Sequence, residues 1–455
     1  MRFDFSTLPL KNRAFSEKPM TFIDPEAKNS LAAIIDLVAI ETGNRAAREY
    51  WQHKQLQNLL QHAVQRSAFW RERIGTKKIK DISLSELPVL TRSDVAKQVA
   101  TEGSLLPTNG NISTRKHSTS GSTGTPVEFF VSEMNGQYNN VRSLMQYFIE
   151  GRDLTLNRTR LRERRSNKNG FTVKKTDSWL GSLGSFIGSG INKHFELYHP
   201  SINLLRKELE RDSIGYLIAP PRLVEMMFQH MDAVVLKRAG MAMWIPLMEP
   251  VDPKLREAFA SLNIPVRANY SSEEVGMIGS ECEKIHGNYH VATSNVIIEV
   301  SKADHIDLEN KQLGRLLITH LHSYATPFVR YDVGDVASLA DRCSCGYDGP
   351  TLSDVYGRSK GLLKHADGRL STFYIPYHRI RDVAKFDEYR IRQIDVKTIV
   401  VEIGGRQSLT ADEIAAFVDL IKRRAGDDFE VRVKPVATIE WGNSVKKLGF
   451  HSEVL

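Results

Sequence analysis

The sequence predicts an α/β protein in which helices cover a parallel sheet, and residues 213–270 carry the main reasons. Short apolar stretches typical of strands alternate there with segments of helical periodicity. The strand-like stretches are residues 214–219, 241–247 and 264–268. The helical segments are residues 222–238 and a segment that opens with Asp252 as N-cap and Pro253 in its first turn. Short connections between alternating strands and helices favour parallel strands with helices on their faces.

The length of the chain, 455 residues, predicts two or three domains, because one hydrophobic core rarely organises so many residues. The character of the sequence changes after Gly357. We therefore expect a large α/β domain of several subdomains at residues 1–356 and a small, mobile α+β domain at residues 357–455. The hinge between them is expected near residues 358–360.

The small domain is predicted from two strand-like segments that flank a helix. Residues 389–403 and 429–439 alternate as strands do. Between them, Thr410 and Glu413 have the spacing of a capping box, which opens a helix that runs to about Gly426.

Composition points to a globular protein, with 41% hydrophobic and 25% charged residues and no low-complexity tract. The longest apolar run, residues 31–40, is interrupted by Asp36 and is too short for a membrane span. Residues 1–15 lack the basic-then-apolar order of a signal peptide. The three cysteines are too few for a disulfide framework and fit a reducing compartment. We therefore expect a cytoplasmic protein.

The net charge of +8 has its densest source in residues 158–175. The basic residues of this cluster are Arg158, Arg160, Arg162, Arg164, Arg165, Lys168, Lys174 and Lys175. No aromatic residue is interleaved before Phe171 and no nucleic-acid-binding motif accompanies them, so nucleic acid is not a predicted partner. Two interpretations stay open: a solvated face, or a binding surface for coenzyme A phosphates or an acidic carrier protein.

A hydroxyl- and glycine-rich segment at residues 118–126 reads Ser-Thr-Ser-Gly-Ser-Thr-Gly-Thr-Pro. Its glycines let backbone N–H groups turn toward one point, and its hydroxyls add donors there. An oligophosphate is the ligand that such a loop suits. The alternative is an ordinary Ser/Gly surface loop.

Two acidic turns follow predicted strands. Tyr270 opens the first, which contains the adjacent carboxylates Glu273 and Glu274. One carboxylate could hold Mg²⁺, which keeps waters and bridges phosphates, although a polar turn explains the same residues. The second is Arg-Tyr-Asp-Val-Gly-Asp at residues 330–335, whose final Asp335 could accept both hydroxyls of a ribose.

Two basic features complete the set. Arg358 follows a glycine, as arginines that clamp phosphates or carboxylates often do. Lys446 and Lys447 lie in a glycine-flanked segment near the C-terminus that could swing over a site.

The order and spacing of these motifs resemble the adenylate-forming superfamily of acyl- and aryl-CoA ligases and nonribosomal adenylation domains. The resemblance is strongest to the phenylacetate–CoA ligase-like branch, which includes capsule-biosynthesis-type homologues. Residues 51–73, with Leu-Leu-Gln-His-Ala-Val and Ser-Ala-Phe-Trp-Arg-Glu-Arg, are similar to the opening segment of that branch.

The resemblance implies a role for each motif. The residues that would cradle the β- and γ-phosphates of ATP are Ser120, Gly121, Ser122, Thr123 and Gly124. Glu274 would bind magnesium and Tyr270 would stack near adenine. Asp335 would bind the ribose hydroxyls. Arg358 would contact ribose and phosphate.

The catalytic lysine implied by the resemblance is Lys446, with Lys447 as the alternative. The sequence also departs from the family. Val127 and Thr125 stand where many relatives carry a lysine, and Glu273 replaces a Ser or Thr beside the magnesium glutamate.

The implied activity is ATP-dependent conversion of a carboxylic acid to an acyl-adenylate with release of pyrophosphate. The acyl group then passes to coenzyme A, a carrier pantetheine or an amine. A homodimer is compatible with this family. Two alternatives remain: an adenylyltransferase that leaves AMP on a hydroxyl, and a nucleotide-binding homologue that has lost catalysis.

The three cysteines are Cys282, Cys343 and Cys345, and His286 and His290 follow the first of them closely. Three thiols and one imidazole form a standard structural zinc set, whereas buried unrelated thiols are the alternative. A similar pattern in relatives, with histidine in a Gly-x-His context, favours His290. We expect a structural zinc that pins two loops beside the nucleotide pocket.

Overall fold

Most of the chain is described by the computed structural model, namely residues 25–106, 113–119, 127–163, 170–199, 202–211, 213–230, 233–308, 311–357, 361–375, 377–440 and 449–454. The α-helices in these ranges are α1 (Pro25–Thr42), α2 (Arg45–Arg66), α3 (Ala68–Ile74), α4 (Arg92–Glu102), α5 (Glu133–Ile149), α6 (Ile202–Arg211), α7 (Pro221–His230), α8 (Ala233–Arg238), α9 (Pro253–Ser261), α10 (Tyr377–Arg381) and α11 (Ala411–Ala425). Among the helices described, none has both the length and the apolar character that crossing a bilayer requires.

The strands of the first half are β1 (Thr114–Ser118), β2 (Glu128–Ser132), β3 (Arg158–Glu163), β4 (Gly170–Thr176), β5 (Asn192–His199), β6 (Gly215–Ala219), β7 (Met241–Pro246), β8 (Asn269–Ser272), β9 (Gly276–Glu281) and β10 (Tyr289–Val291). Those of the second half are β11 (Val296–Leu308), β12 (Lys311–His320), β13 (Tyr331–Ala340), β14 (Thr351–Tyr356), β15 (Leu362–Lys364), β16 (Leu370–Thr372), β17 (Glu388–Asp395), β18 (Thr398–Gly404), β19 (Glu430–Val436) and β20 (Phe450–Ser452).

A five-stranded sheet has the order β4-β5-β3-β6-β7. Strands β5, β3, β6 and β7 run parallel, and β4 is antiparallel to β5 at the edge. Helices cover one face through a core that includes Leu161, Phe195 and Trp244, and α1 and α5 cover part of the other through Tyr216 and Ile245. The predicted parallel strands at 214–219 and 241–247 are therefore confirmed as β6 and β7.

The prediction of a third strand at residues 264–268 is wrong, since these residues form no strand. They make one isolated bridge, between Val266 and Trp244. The Trp244 N–H donates to the Pro265 carbonyl, and the Arg267 N–H donates to the Trp244 carbonyl. Because Pro265 has no N–H, it cannot extend this pairing toward the preceding residues. The predicted helix 222–238 corresponds to α7 and α8, and residues 231–232 between them lie outside the described ranges. The helix at Asp252 begins where predicted, with the Asp252 side chain accepting from the Lys254 N–H.

A seven-stranded sheet, of order β11-β12-β13-β14-β10-β9-β8, was not predicted. All of its pairings are antiparallel. Helices α2, α3 and α4 pack on it through buried residues that include Leu59, Trp70 and Val95, which share a core with Ile278 and Leu316. This sheet follows the parallel one in the chain and carries both acidic turns.

The C-terminal part forms a four-stranded sheet of order β19-β18-β17-β20, on which α11 packs through Phe417 and Ile421. The capping box is present: Thr410 accepts from the Glu413 N–H and Glu413 accepts from the Thr410 N–H. The predicted strands and helix of this part are confirmed. The domain boundary at residues 356 and 357 stays a prediction, and residues 358–360 lie outside the described ranges.

Gly215, at the start of β6, provides a test of the packing between strands. Its φ is +62°, and a Cβ there would overlap the carbonyl of Asn157, which accepts a hydrogen bond from Tyr216 at 2.8 Å. Gly151 has the same φ, +62°, but open space around it. We expect Gly151→Ala to cost about 1–2 kcal/mol of unfolding free energy, the cost of a left-handed backbone. Gly215→Ala should cost about 1–3 kcal/mol more because of the overlap. Equal losses in chemical denaturation would contradict this packing.

Candidate functional site

The first acidic turn is the tip of the β8–β9 hairpin. Ser272 pairs with Gly276, and Glu273, Glu274 and Val275 lie between them. Glu273 is exposed, whereas Glu274 is half-buried. Gly276 has a φ of +69°, and a Cβ there would lie 2.8 Å from Oδ1 of Asn139 on α5. The turn is therefore held close to α5, and only glycine fits at this position.

Two tyrosine hydroxyls connect this hairpin to β13. Tyr270 donates to Oδ2 of Asp335 at 2.5 Å, and Tyr331 donates to Oε1 of Glu274 at 3.1 Å. In a flat sheet, β8 and β13 would lie four inter-strand spacings apart, about 19 Å. The direct bonds therefore require the sheet to curl, so that the two acidic motifs meet across its concave side. The structure thus brings together the predicted residues Tyr270, Glu274 and Asp335.

Both phenols are donors over the physiological pH range. Burial raises the pKa of Tyr270, and the Asp335 charge raises it further. Burial, followed by the Glu274 charge, also raises the pKa of Tyr331. Each tyrosine occupies one acceptor position of its carboxylate and leaves the other positions for a ligand. Sequence reasoning missed Tyr331, although it lies inside the quoted motif, because its partner is 57 residues away.

Asn295 holds the backbone of the glutamate turn. It is fully buried, and its Nδ2 donates to the carbonyls of Val275 at 2.8 Å and Met277 at 2.6 Å. These carbonyls flank Gly276 on both sides. Sequence reasoning offered no signal for Asn295, because its role depends on the fold.

Arg142 on α5 supports the same region from the other side. Its guanidinium donates to Asn139 Oδ1 at 3.1 Å and to the Ser294 carbonyl at 3.3 Å. Burial lowers its pKa to about 10, so it remains charged at neutral pH. Because Asn139 lies on the same helix, the bond to the Ser294 carbonyl is the one that ties α5 to the segment between β10 and β11.

A second arginine lies near the stem of the hydroxyl- and glycine-rich loop. Arg92, at the start of α4, donates to Thr119 Oγ1 at 2.9 Å, and Thr119 closes the β1–β2 hairpin by accepting from the Val127 N–H. The Arg92 charge also acts on Tyr331 and lowers its pKa. The backbone bridge between Leu90 and Tyr331 explains this proximity. A cation therefore lies between the loop stem and the Glu274 turn.

Several predicted site residues lie outside the described ranges, and the structure says nothing of their positions. They are Ser120, Gly121, Ser122, Thr123, Gly124, Arg358, Lys446 and Lys447.

The cysteines form one cluster with a histidine. The ligand atoms of Cys282, His290, Cys343 and Cys345 all lie within 4.8 Å of one another. The Sγ atoms of Cys282 and Cys343 are 3.9 Å apart, and Cys345 Sγ is 3.4 Å from His290 Nε2. A tetrahedral zinc with ordinary bond lengths separates its ligands by about 3.5–3.8 Å. The donor set and its spacing therefore fit zinc.

His286, the other candidate, is not in this group. It is exposed, and its Nδ1 lies 3.4 Å from Nη1 of Arg256. Neighbours also support the cluster: the Tyr347 N–H donates to Cys345 Sγ at 3.4 Å, and the Tyr347 ring stacks on His290 with centroids 4.2 Å apart.

The cluster lies at the opposite end of β9 from Glu274, and its expected place beside a nucleotide pocket stays a prediction. Cys282 follows the last residue of β9, whereas Glu274 precedes its first. The cluster therefore holds the far ends of β9, β10, β13 and β14, while the hairpin tip is held by Asn295, Asn139 and Tyr331.

Comparison with known proteins gives the class of fold. No family model and no curated protein sequence matches the chain. Among solved structures, 2-hydroxyisobutyryl-CoA ligase in the postadenylation state, in complex with R3-HIB-AMP, has 17% identity and a TM-score of 0.61 over 91% of each chain. The same ligase with 2-HIB-AMP and CoA, in the thioesterification state, has 17% identity and a TM-score of 0.56 over 91% of this chain and 92% of that one.

A second kind of enzyme has the same architecture. GH3.15 acyl acid amido synthetase has 13% identity and a TM-score of 0.50, covering 91% of this chain and 90% of its own. The chain therefore has the α/β fold of adenylate-forming ligases, and the predicted fold class is confirmed.

The clamp formed by Asn295 can be tested by a nearly isosteric change. In Asn295→Asp, a carboxylate oxygen replaces the donor that faces the carbonyls of Val275 and Met277. We expect a loss of about 1–3 kcal/mol in unfolding free energy, because two buried acceptors lose their partner. Asn58→Asp makes the same chemical change on the exposed side of α2 and should cost under about 0.5 kcal/mol. If both variants unfold at the same denaturant concentration, Asn295 has no such role.

Proposed function

We propose that this protein activates a carboxylic acid with Mg-ATP as an acyl-adenylate and then transfers the acyl group to a thiol or an amine. The observation that carries this proposal is the pair of hydrogen bonds, Tyr270 to Asp335 and Tyr331 to Glu274, which joins the two acidic motifs. The fold supports it, since the neighbouring ligase binds an acyl-adenylate and CoA.

The nucleotide-binding roles follow from chemistry and position. Tyr270 offers an aromatic face for adenine, and Asp335 beside it offers carboxylate oxygens to the ribose hydroxyls. The hydroxyl-glycine loop, with Ser120, Gly121, Ser122, Thr123 and Gly124, supplies donors to the β- and γ-phosphates. Arg358 would contact ribose and phosphate.

Glu274 is the residue to hold Mg²⁺, because it is half-buried and oriented by Tyr331 while Glu273 points to solvent. When bound, Mg²⁺ would neutralise charge on the phosphates. Arg92 would add a fixed positive charge between the loop stem and this turn. That cation compensates for a loop in which Thr125 and Val127 replace the lysine of many relatives.

In the first step, a carboxylate oxygen of the acid attacks the α-phosphorus. A new P–O bond forms as the bond to the β-phosphate oxygen breaks, and the electron pair leaves with pyrophosphate. The chain contributes positioning and charge neutralisation rather than a nucleophile. Lys446, or Lys447, would stabilise the charge that develops at the α-phosphate.

In the second step, a nucleophile attacks the acyl carbon and AMP leaves. The small domain at residues 357–455 would rotate about the hinge near 358–360 between the two steps and exclude water from the mixed anhydride. The phenylacetate–CoA ligase-like branch is the proposed relationship. The acceptor classes are coenzyme A, a carrier pantetheine and an amine, as the two kinds of structural neighbour use CoA or form amides.

The Cys282, His290, Cys343 and Cys345 cluster is proposed to bind one structural zinc. All four ligand positions come from the protein, so no position remains open for chemistry. The metal would join the ends of four strands of the curled sheet and thereby support the site at their other ends.

Glu274 provides the direct test of adenylation. Glu274→Gln removes the metal-binding charge and should lower acid-dependent pyrophosphate–ATP exchange by about 10²–10³-fold, the scale of one charge-stabilising group. Glu273→Gln makes the same change one residue earlier, on an exposed side chain, and should leave the exchange nearly unchanged. The assay uses a panel of carboxylic acids with the full chain.

Two results would contradict the proposed function. The first is an absence of acid-dependent exchange in the unaltered protein with every acid although ATP binds, which is expected of a non-catalytic homologue. The second is a stable product that carries AMP on a hydroxyl group, detected by mass spectrometry, which is expected of an adenylyltransferase.

The zinc site is tested by metal analysis of two histidine variants. The unaltered protein should contain about one zinc per chain, and His290→Ala should lose most of it and melt at a lower temperature. His286→Ala, at the neighbouring exposed histidine, should keep both the zinc and the melting temperature. Equal zinc contents in the two variants would contradict the proposed ligand set.

A further inference from the structure

Arg330 opens the second acidic motif and has an unusual backbone conformation. Its φ is +52°, in the left-handed region that residues other than glycine rarely adopt. Among the residues that the structure describes, the other non-glycine residues with a positive φ are Met248, Asn263 and Asp354. Such a conformation costs free energy and persists only where the surrounding structure imposes it. The contacts of Arg330 show what imposes it.

The guanidinium of Arg330 joins two separate parts of the chain. Its Nε donates to Oε2 of Glu299 on β11 at 3.0 Å, and its Nη1 donates to the Leu87 carbonyl in the segment before α4. The Arg330 side chain is 13% exposed and that of Glu299 is 23% exposed, so solvent screens this ion pair only weakly. A rigid, planar guanidinium can donate in both directions at once.

The backbone of Arg330 is bonded on both sides as well. Its N–H donates to Thr319 Oγ1 on β12 at 3.0 Å, and its carbonyl accepts from the Leu90 N–H at 3.0 Å. Thr319 and Leu90 are both buried. The Asp332 N–H donates to the Leu90 carbonyl at 3.0 Å, which completes the bridge between Leu90 and Tyr331. Side chain and backbone together therefore fix the left-handed conformation.

Tyr331 is the residue whose placement depends on this conformation. The angle φ is the rotation about the N–Cα bond and is one of the two soft torsions of each residue. A different φ at Arg330 would therefore turn the chain that begins with Tyr331 relative to Val329. The Tyr331 side chain is fully buried, and its hydroxyl donates to Oε1 of Glu274 at 3.1 Å. The left-handed residue thus directs this phenol toward the glutamate turn.

We propose that Arg330 is a positioning residue that holds the Tyr331 phenol on Glu274 and thereby keeps this carboxylate oriented for Mg²⁺. This inference rests on the proposed function, in which Glu274 holds the metal. Loss of the guanidinium would release the bonds to Glu299 and Leu87, and fewer contacts would then maintain the left-handed backbone. The phenol would lose its fixed place, Glu274 would gain freedom, and metal binding would weaken.

The experiment measures the binding of Mg-ATP and of metal-free ATP to the full chain by calorimetry, with acid-dependent pyrophosphate–ATP exchange measured alongside. The variants are Arg330→Gly, Tyr331→Phe, the double variant and Asp354→Gly. Glycine adopts a positive φ readily, so Arg330→Gly removes the guanidinium without adding backbone strain. Asp354 is the matched control, because its φ is +51°, it lies on β14 of the same sheet, and it pairs with Lys311.

Arg330→Gly should weaken Mg-ATP binding by about 10-fold and the binding of metal-free ATP less, because a partner that orients a metal ligand changes metal affinity by about 10–100-fold. Tyr331→Phe should cause a loss of at least that size. In the double variant, the change at Arg330 should add less than about 3-fold, since residues that act through one another are not additive. Asp354→Gly should keep the affinity for Mg-ATP.

Arg330→Lys keeps a positive charge beside Glu299 but cannot reproduce the rigid fork that also reaches Leu87. It should lose less Mg-ATP affinity than Arg330→Gly, and it serves as the test if the glycine variant does not fold.

The positioning role would be overturned by unchanged Mg-ATP affinity in Arg330→Gly, by equal weakening of Mg-ATP and metal-free ATP, by fully additive losses in the double variant, or by the same loss in Asp354→Gly. Metal-dependent weakening in Arg330→Gly, without acid-dependent exchange in the unaltered protein, would support this role and refute the proposed function. Exchange in the unaltered protein, with Mg-ATP bound equally well by Arg330→Gly, would do the reverse.

Discussion

The site depends on the curling of one antiparallel sheet. Tyr270 and Asp335 lie on strands that are four positions apart in the strand order, yet their side chains are in direct contact. The bond between Tyr331 and Glu274 closes the same gap nearer the hairpin tip. These two bonds hold together sequence motifs about 60 residues apart in the chain. Without them, the carboxylates proposed for ribose and metal would belong to separate surfaces.

Different chemistry holds each end of β9. At the Glu274 end, the buried Asn295 and the contact between Asn139 and Gly276 define the backbone of the turn. At the other end, Cys282 joins the cluster of three thiols and one imidazole. A strand restrained at both ends can present a carboxylate with little freedom, and charge-stabilising groups are effective only when they are oriented before the reaction.

Helix α5 connects the five-stranded sheet to this hairpin. The helix packs on the sheet through the core that contains Tyr216 and Ile245. Its Asn139 lies so close to Gly276 that a Cβ there would be 2.8 Å from the amide oxygen. The position of the glutamate turn therefore depends on both sheets.

The sequence predicted those parts of the fold that depend on local signals. Strands β6 and β7, the N-cap Asp252 and the capping box at Thr410 were found because apolar periodicity and caps are encoded within a few residues. The prediction of a strand at 264–268 was wrong because it rested on the apolar run alone. Pro265 within this run has no N–H to donate to a neighbouring strand. The antiparallel sheet was missed because the pair that closes it, β10 with β14, joins strands separated in the chain by β11, β12 and β13, although its other pairs join consecutive strands.

The same distinction applies to the site. Tyr270, Glu274 and Asp335 were identifiable because each lies in a motif of recognisable composition. Tyr331, Asn295 and Arg92 act through partners that only the folded chain supplies. For the cluster of thiols, spacing indicated the chemistry and the resemblance favoured His290, which the register of β10 against β9 and β14 places beside the cysteines.

A crystal structure of the full chain with Mg²⁺ and a non-hydrolysable ATP analogue would test the central claim most directly. The account predicts adenine at Tyr270, the ribose hydroxyls on Asp335, the metal on Glu274, and the phosphates between Arg92 and residues 120–124. A nucleotide bound elsewhere, with Glu274 and Asp335 facing separate cavities, would contradict it.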